Sequence, residues 1–140
     1  MSTLFGAGIP KGCKIYRMEG DRVDLEAAAN CYAEALPKCI DILLLGVGED
    51  GHIASLFPYS TALNESRRRV LPIVGPKVPY QRLTITPPVI LQASSIFVLA
   101  PGKAKALVLK EAMRMPNNIE ALPARLTMGG NWLLDTNIDG

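Results

Sequence analysis

An α/β fold with a parallel sheet flanked by helices is what this sequence predicts, and two apolar runs carry the prediction. Residues 42–45 (ILLL) pass directly into glycines at 46, 48 and 51, and Ser95–Ala100 (SIFVLA) closes on Pro101 and Gly102. An unbroken apolar run ending in glycine is the pattern of a strand buried on both faces of a parallel sheet. Strand-like and helix-like segments alternate along the rest of the chain, as a βαβ arrangement requires.

The first twenty residues carry glycines at 6, 8, 12 and 20 and a proline at 10, too much punctuation for a long element; within them residues 14–18 (KIYRM) read as a short strand. Asp21 or Asp24 can cap a helix running to about Leu36, because Leu25, Ala28, Ala29, Tyr32 and Leu36 recur at helical spacing and Pro37 stops it. After the first apolar run, residues 53–57 leave room for a turn or two of helix before Pro58. Residues 59–69 are polar and end in Arg67-Arg68-Arg69, a solvated loop in the simpler reading and an anion site in the other. Val70–Val74 reads as a strand. Residues 82–86 (RLTIT) alternate polar and apolar with β-branched side chains, as a strand with one face toward something polar does. Pro87 and Pro88 suit the first turn of a short helix.

The helix after Gly102 has an unusual feature. On a helical wheel Lys110, Glu111 and Arg114 fall on one side, while Ala104, Val108, Leu109, Ala112 and Met113 fall on the other, with Lys105 among them. An ammonium group there must either snorkel out to water or meet an anion, since burying it unpaired is costly. The first turn of a helix itself favours negative charge. Both readings of Lys105 stay open at this point. A segment at 119–122 leads to Pro123, and residues 131–135 (NWLLD) read as a last strand in which Trp132 packs in the core.

The chain has 140 residues, enough for a single domain spanning 1–140 with a sizeable core, and 49% hydrophobic and 20% charged residues are ordinary for a globular protein. Fifteen basic residues against thirteen acidic give a net charge of +2, too balanced to indicate nucleic acid or an anionic membrane surface. Cys13, Cys31 and Cys39 form no CxxC pair, and a single histidine leaves no zinc-type cluster, so no metal is expected. Scattered thiols, no apolar run of membrane-spanning length and no signal-peptide pattern predict a cytoplasmic protein.

His52 is the chain's only histidine, and it follows the glycine loop directly. In open α/β sheets ligands bind beyond the carboxyl ends of the strands, which is where this loop falls. Gly48 and Gly51 permit unusual backbone angles and close approach of a ligand, and an imidazole can take a proton from water or return one to a leaving oxygen. The segment GVGEDG at 46–51 also fits the dinucleotide pattern G-x-G-x-x-G. That reading needs a full helix after the third glycine and an acid about twenty residues later; Pro58 cuts the helix short, and no Asp or Glu occurs between Glu65 and Glu111. We set it aside.

The segment 46–58, GVGEDGHIASLFP, resembles the signature of the 6-phosphogluconolactonases, within the wider glucosamine-6-phosphate isomerase/6-phosphogluconolactonase family. The aminosugar branch shares the Asp-Gly-His core but continues differently from Ala54-Ser55-Leu56-Phe57-Pro58, so the lactonase branch is the closer match. Arg82-Leu83-Thr84-Ile85-Thr86, Gly102-Lys103-Ala104-Lys105, Leu122-Pro123-Ala124 and Trp132-Leu133-Leu134-Asp135 resemble further motifs of the same family. The resemblance implies a Rossmann-like fold and hydrolysis of 6-phospho-D-glucono-1,5-lactone to 6-phosphogluconate without a metal or organic cofactor. It implies that His52 is the acid/base group, that Asp50 supports it, and that Gly48, Gly51, Arg82 and Lys105 contact substrate, Lys105 at or near the phosphate.

Family members are longer, and the portion with no counterpart here is the amino-terminal one, with the first strands of the sheet, a glycine/serine-rich turn and an Asp-Glu-Arg segment. The resemblance therefore implies sheet edges and apolar faces left uncovered, which either another copy of the chain, associating through the exposed sheet edge, or the missing portion would have to cover. A chain of this kind could also be a non-catalytic sugar-phosphate-binding fragment.

Overall fold

The computed structural model of the protein describes Gly6, residues 8–114 and residues 118–137. Helix α1 (Leu25–Ala35) starts at Asp24, whose carboxylate accepts the Ala27 amide at 2.9 Å, and ends at Leu36 before Pro37. Strand β1 (Ile42–Gly46) leads into the glycine loop. Strands β2 (Val70–Val74) and β3 (Gln81–Ile85) follow, then the short helix α2 (Pro87–Leu91), β4 (Ser95–Ala100), α3 (Lys103–Arg114) and β5 (Asn131–Leu134).

The strands form two sheets. A parallel sheet has the order β1-β4-β5, with Leu44 opposite Phe97 and Leu99 opposite Leu133. β2 and β3 make a separate antiparallel pair, with Val70 opposite Ile85. The sequence reading gave a single parallel sheet; the six-residue span between β2 and β3 is too short for a parallel crossover and returns as an antiparallel connection instead. Residues 14–18 form no strand, and residues 53–57 form no helix but a tight turn with bridges from Ile53 to Val47 and Leu56. A 3-10 helix at Pro123–Thr127 had no predicted counterpart.

One face of the parallel sheet is the core. Leu43, Leu45, Val98 and Ala100 point into it with Ile53, Leu56, Ile90 and Leu126. The opposite face is bare: Ile42 is 68% exposed, Leu44 59%, Leu99 42% and Leu133 49%. The expectation that β1 is buried on both faces is therefore corrected, since its side chains alternate between exposed and buried. Its apolar composition suits a covered strand, but among the described residues nothing lies over that face, and β1 pairs through one edge only.

The arginine run is also reassigned. Arg68 pairs with Glu26 of α1 at 2.6 Å, and Arg69 donates to the carbonyls of Ala33 and Leu36 at 3.2 and 3.0 Å and to that of Pro37. A guanidinium at the carboxyl end of α1 answers carbonyls that the helix leaves without partners, so this segment ties α1 to β2. In α3 the buried side chains are Ala106, Val108, Leu109 and Ala112, whereas Ala104 and Met113 are exposed. The buried stripe is thus narrower than the wheel implied, and Lys105 lies half-buried at its border.

Candidate functional site

The loop that follows β1 folds on itself through backbone bonds. The Gly48 amide donates to the His52 carbonyl at 2.9 Å, and the Gly51 amide donates to the Gly48 carbonyl at 3.0 Å. Gly51 has φ +79°, and a Cβ there would stand 2.2 Å from Leu122 Cδ1. Only glycine satisfies both conditions. From outside, the Ala124 amide donates to the Gly51 carbonyl at 2.8 Å, which fastens the Pro123–Thr127 helix to the loop.

The turn after His52 is held just as firmly. Ile53 and Leu56 are completely buried. Each such side chain contributes about 1.5–3 kcal/mol on leaving water. The Ser55 amide donates to Thr84 Oγ1 at 3.1 Å, and that hydroxyl donates to the Ile85 carbonyl at 2.9 Å. Ala54 and Tyr59 have φ of 50° and 60°, a region non-glycine residues seldom occupy and one that persists where surrounding contacts enforce it. The polar positions of the Arg82 to Thr86 motif are thus structural in part: Thr84 holds this turn, and Thr86 Oγ1 donates to the Arg68 carbonyl at 2.6 Å.

At the centre of the loop, His52 Nδ1 lies 2.6 Å from Asp50 Oδ1, which also accepts the His52 amide at 3.2 Å. Burial pushes the Asp50 carboxyl up, but the hydrogen bonds from the His52 ring and amide, with the charge of the imidazole, outweigh it and hold the carboxyl below its usual value. Asp50 is therefore ionised at neutral pH and can only accept. A neutral imidazole facing it carries its proton on Nδ1 and its lone pair on Nε2. The His52 side chain keeps 28% of its surface in solvent, so the pair is sheltered but reachable.

Gly48 borders this pair. A Cβ at Gly48 would lie 2.2 Å from His52 Nδ1 and 2.6 Å from Asp50 Oδ1, so the missing side chain is the space the pair occupies. The buried Phe57 ring sits 4.6 Å from the imidazole, centroid to centroid, and the Arg82 guanidinium lies over the Phe57 ring at 5.4 Å from its centroid. Arg82 is anchored by the Pro79 carbonyl at 2.7 Å and the Lys77 carbonyl at 2.9 Å.

His52, Asp50, Gly48, Gly51 and, through Phe57, Arg82 thus form one cluster. Lys105 stands apart, with no hydrogen-bond or ion-pair partner among the described residues. It is one turn before Val108 on the same side of α3, and Val108 faces Gly51. The Gly102 amide, immediately before α3, is already engaged, donating to Asp135 Oδ1 at 2.7 Å. A cleft of about 630 Å³ lies between the loop and α3, with Glu49 and Asp50 on one wall and Lys110, Glu111 and Arg114 on the other; His52 and Lys105 are not among its walls. Phe57 is the site residue that sequence reasoning passed over, although its place five residues after His52 was in view. Among the described residues no group of three or more His, Cys, Asp or Glu could hold a metal ion.

A histidine-carboxylate pair presented by a glycine turn at the end of a parallel strand marks an α/β protein with a candidate acid/base site. The profile of the family described as glucosamine-6-phosphate isomerases/6-phosphogluconolactonase matches residues 1–134, and the chain belongs to that family. It is 40% identical over 124 residues to the 6-phosphogluconolactonase of Rattus norvegicus, covering 79% of this chain and 48% of that protein. With the 6-phosphogluconolactonase of Streptomyces coelicolor it shares 38% identity over 128 residues, 81% of this chain and 49% of the relative. The solved structure of the Trypanosoma brucei 6-phosphogluconolactonase superposes with a TM-score of 0.66 at 30% identity, covering 95% of this chain and 57% of that one. The chain therefore spans about half the length of the curated relatives it matches.

Proposed function

We propose that the chain hydrolyses 6-phospho-D-glucono-1,5-lactone to 6-phosphogluconate, with His52 as the acid/base group. The observation that carries this reading is the 2.6 Å contact between His52 Nδ1 and Asp50, which leaves Nε2 as the free basic nitrogen. The names of the relatives, all 6-phosphogluconolactonases in the comparisons above, supply the substrate.

In this mechanism Nε2 takes a proton from water as the water oxygen bonds to the lactone carbonyl carbon. The resulting imidazolium is stabilised by the Asp50 carboxylate. When the bond from that carbon to the ring oxygen breaks, the imidazolium returns its proton to the departing oxygen, and the open-chain acid results. Gly48 and Gly51 allow the sugar to approach the loop backbone. Lys105 supplies the cation for the phosphate, in keeping with its unpaired, half-buried place one turn from the loop. Arg82 contributes from behind Phe57, since two of its nitrogens are already bound to carbonyls.

A coupled assay with fresh 6-phosphogluconolactone, read against spontaneous hydrolysis, tests this. Turnover above background that disappears in His52→Ala supports it; turnover unaffected by His52→Ala refutes it. A second reading, a sugar-phosphate-binding portion without turnover, is favoured by the bare face of the parallel sheet together with the half-length match. Binding of 6-phosphogluconate without hydrolysis would select it.

The exposed edge of β1 is also a surface for self-association. We place the protein in the cytoplasm on the ground that Cys13, Cys31 and Cys39 are exposed and unpaired. Among the described residues no helix is long and apolar enough to cross a membrane.

A further inference from the structure

We propose that Phe57 is a positioning residue for His52: its ring, braced by the Arg82 guanidinium, fixes the imidazole so that Nδ1 meets Asp50 and Nε2 is left open. The catalytic part of this inference rests on the hydrolytic reading above; the positional part does not.

The argument starts from what an imidazole needs in order to work. Its ring can turn about the Cβ–Cγ bond, and one hydrogen bond from Nδ1 to Asp50 leaves the ring free to tilt about that bond. A second contact on the face of the ring removes this freedom. Phe57 supplies it at 4.6 Å with the planes inclined at 40°, within the range where aromatic rings attract.

Phe57 is itself immobilised. It is 7% exposed, and the Arg82 guanidinium lies over it at 5.4 Å, within the distance at which a cation is held by an aromatic face. The guanidinium cannot drift, because Pro79 and Lys77 carbonyls hold it at 2.7 and 2.9 Å. Gly75 seals the arrangement: a Cβ there would lie 3.0 Å from Arg82 Nε and 3.2 Å from Phe57 Cε2. The span between β2 and β3 thus reaches the imidazole through one aromatic ring, and Arg82 acts on the reaction through Phe57 as well as through any contact with substrate.

The test uses the intact chain and the fact that it holds one histidine, so the imidazole signals in an NMR spectrum have a single source. In the wild type the His52 ring protons are expected to show cross-peaks to Phe57 ring protons and to lie upfield of their position in the unfolded chain. Phe57→Leu should lose both features and lower kcat by roughly 10²-fold, the cost of an ångström-scale misplacement, with KM nearly unchanged. Phe57→Tyr keeps the ring and should restore the spectrum and the rate. A folded Phe57→Leu protein with wild-type kcat overturns the proposal, and so does the absence of the cross-peaks in the wild type. That wild-type spectrum decides the matter even if Phe57→Leu does not fold. Should the wild type show the cross-peaks but no lactone hydrolysis, the hydrolytic reading falls while the positional role of Phe57 stands.

Discussion

Replacing Gly48 by alanine adds one methyl group at the point where the chain leaves least room for it. The new Cβ would stand 2.2 Å from His52 Nδ1, 2.3 Å from Cε1 and 2.6 Å from Asp50 Oδ1, where ordinary contact begins near 3.4 Å. The imidazole would have to retreat by about 1.2 Å, and the carboxylate with it, so the 2.6 Å bond between them cannot survive unchanged. A displacement of that size in an acid/base group costs roughly 10²-fold in kcat, or about 2.7 kcal/mol of transition-state stabilisation. Stability should change far less, because the groups that must move are side chains rather than packed backbone. Steady-state hydrolysis of the lactone, alongside thermal unfolding of the same samples, separates the two effects. A Gly48→Ala protein with wild-type kcat would refute the reasoning that this glycine exists to make room for the His52-Asp50 pair.

Gly51→Ala should behave in the opposite way, losing stability first: a side chain at φ +79° costs at least about 1–2 kcal/mol, and the clash with Leu122 adds to it, for a fall in Tm of roughly 5 °C or more by scanning calorimetry. Asp50→Asn should lower kcat by about 10²- to 10⁴-fold, the range that acid/base catalysis supplies, because an amide no longer enforces the tautomer with its proton on Nδ1. Because the Asp50 carboxyl titrates below its usual value in the folded chain, its contribution to stability is present above the unfolded value of about 3.9 and is lost as pH falls through the depressed one. Asp50→Asn should therefore flatten the acid limb of a plot of unfolding free energy against pH, and an unchanged limb would contradict the assignment. Leu44→Lys, on the bare face of the parallel sheet, should weaken concentration-dependent association in sedimentation experiments without disturbing the fold; unchanged association would locate the contact elsewhere.

Much of the local structure was legible because its causes are local. Asp24 and Pro37 bracket α1 within the chain's own neighbourhood, and Pro87 opens α2 where no amide bond is lost. The loop at 46–52 was legible for the same reason, since glycines and an Asp-Gly-His sequence specify a tight turn that hands a histidine to the end of β1. What escaped the reading depends on contacts between distant segments. An apolar run such as β1 looks the same whether or not something covers both its faces, so the exposure of Ile42 and Leu44 could not be read from it. Arg68 and Arg69 resemble a solvated run until α1, more than thirty residues earlier, is seen to supply their acceptors. The 3-10 helix at Pro123–Thr127 is held by its bond to the Gly51 carbonyl, which no spacing announces. The stack of His52, Phe57 and Arg82 likewise joins a turn to a second sheet.

Lys105 is the site residue with the fewest contacts to speak for it, and the proposed mechanism needs its ammonium group and the imidazole of His52 to serve one hexose phosphate. A structure of the chain with 6-phosphogluconate bound measures this directly. The account predicts the phosphate against the Lys105 amine and the carboxylate carbon beside His52 Nε2. A phosphate held instead by Lys110 and Arg114 across the neighbouring cleft, with His52 out of reach of the sugar, would contradict it.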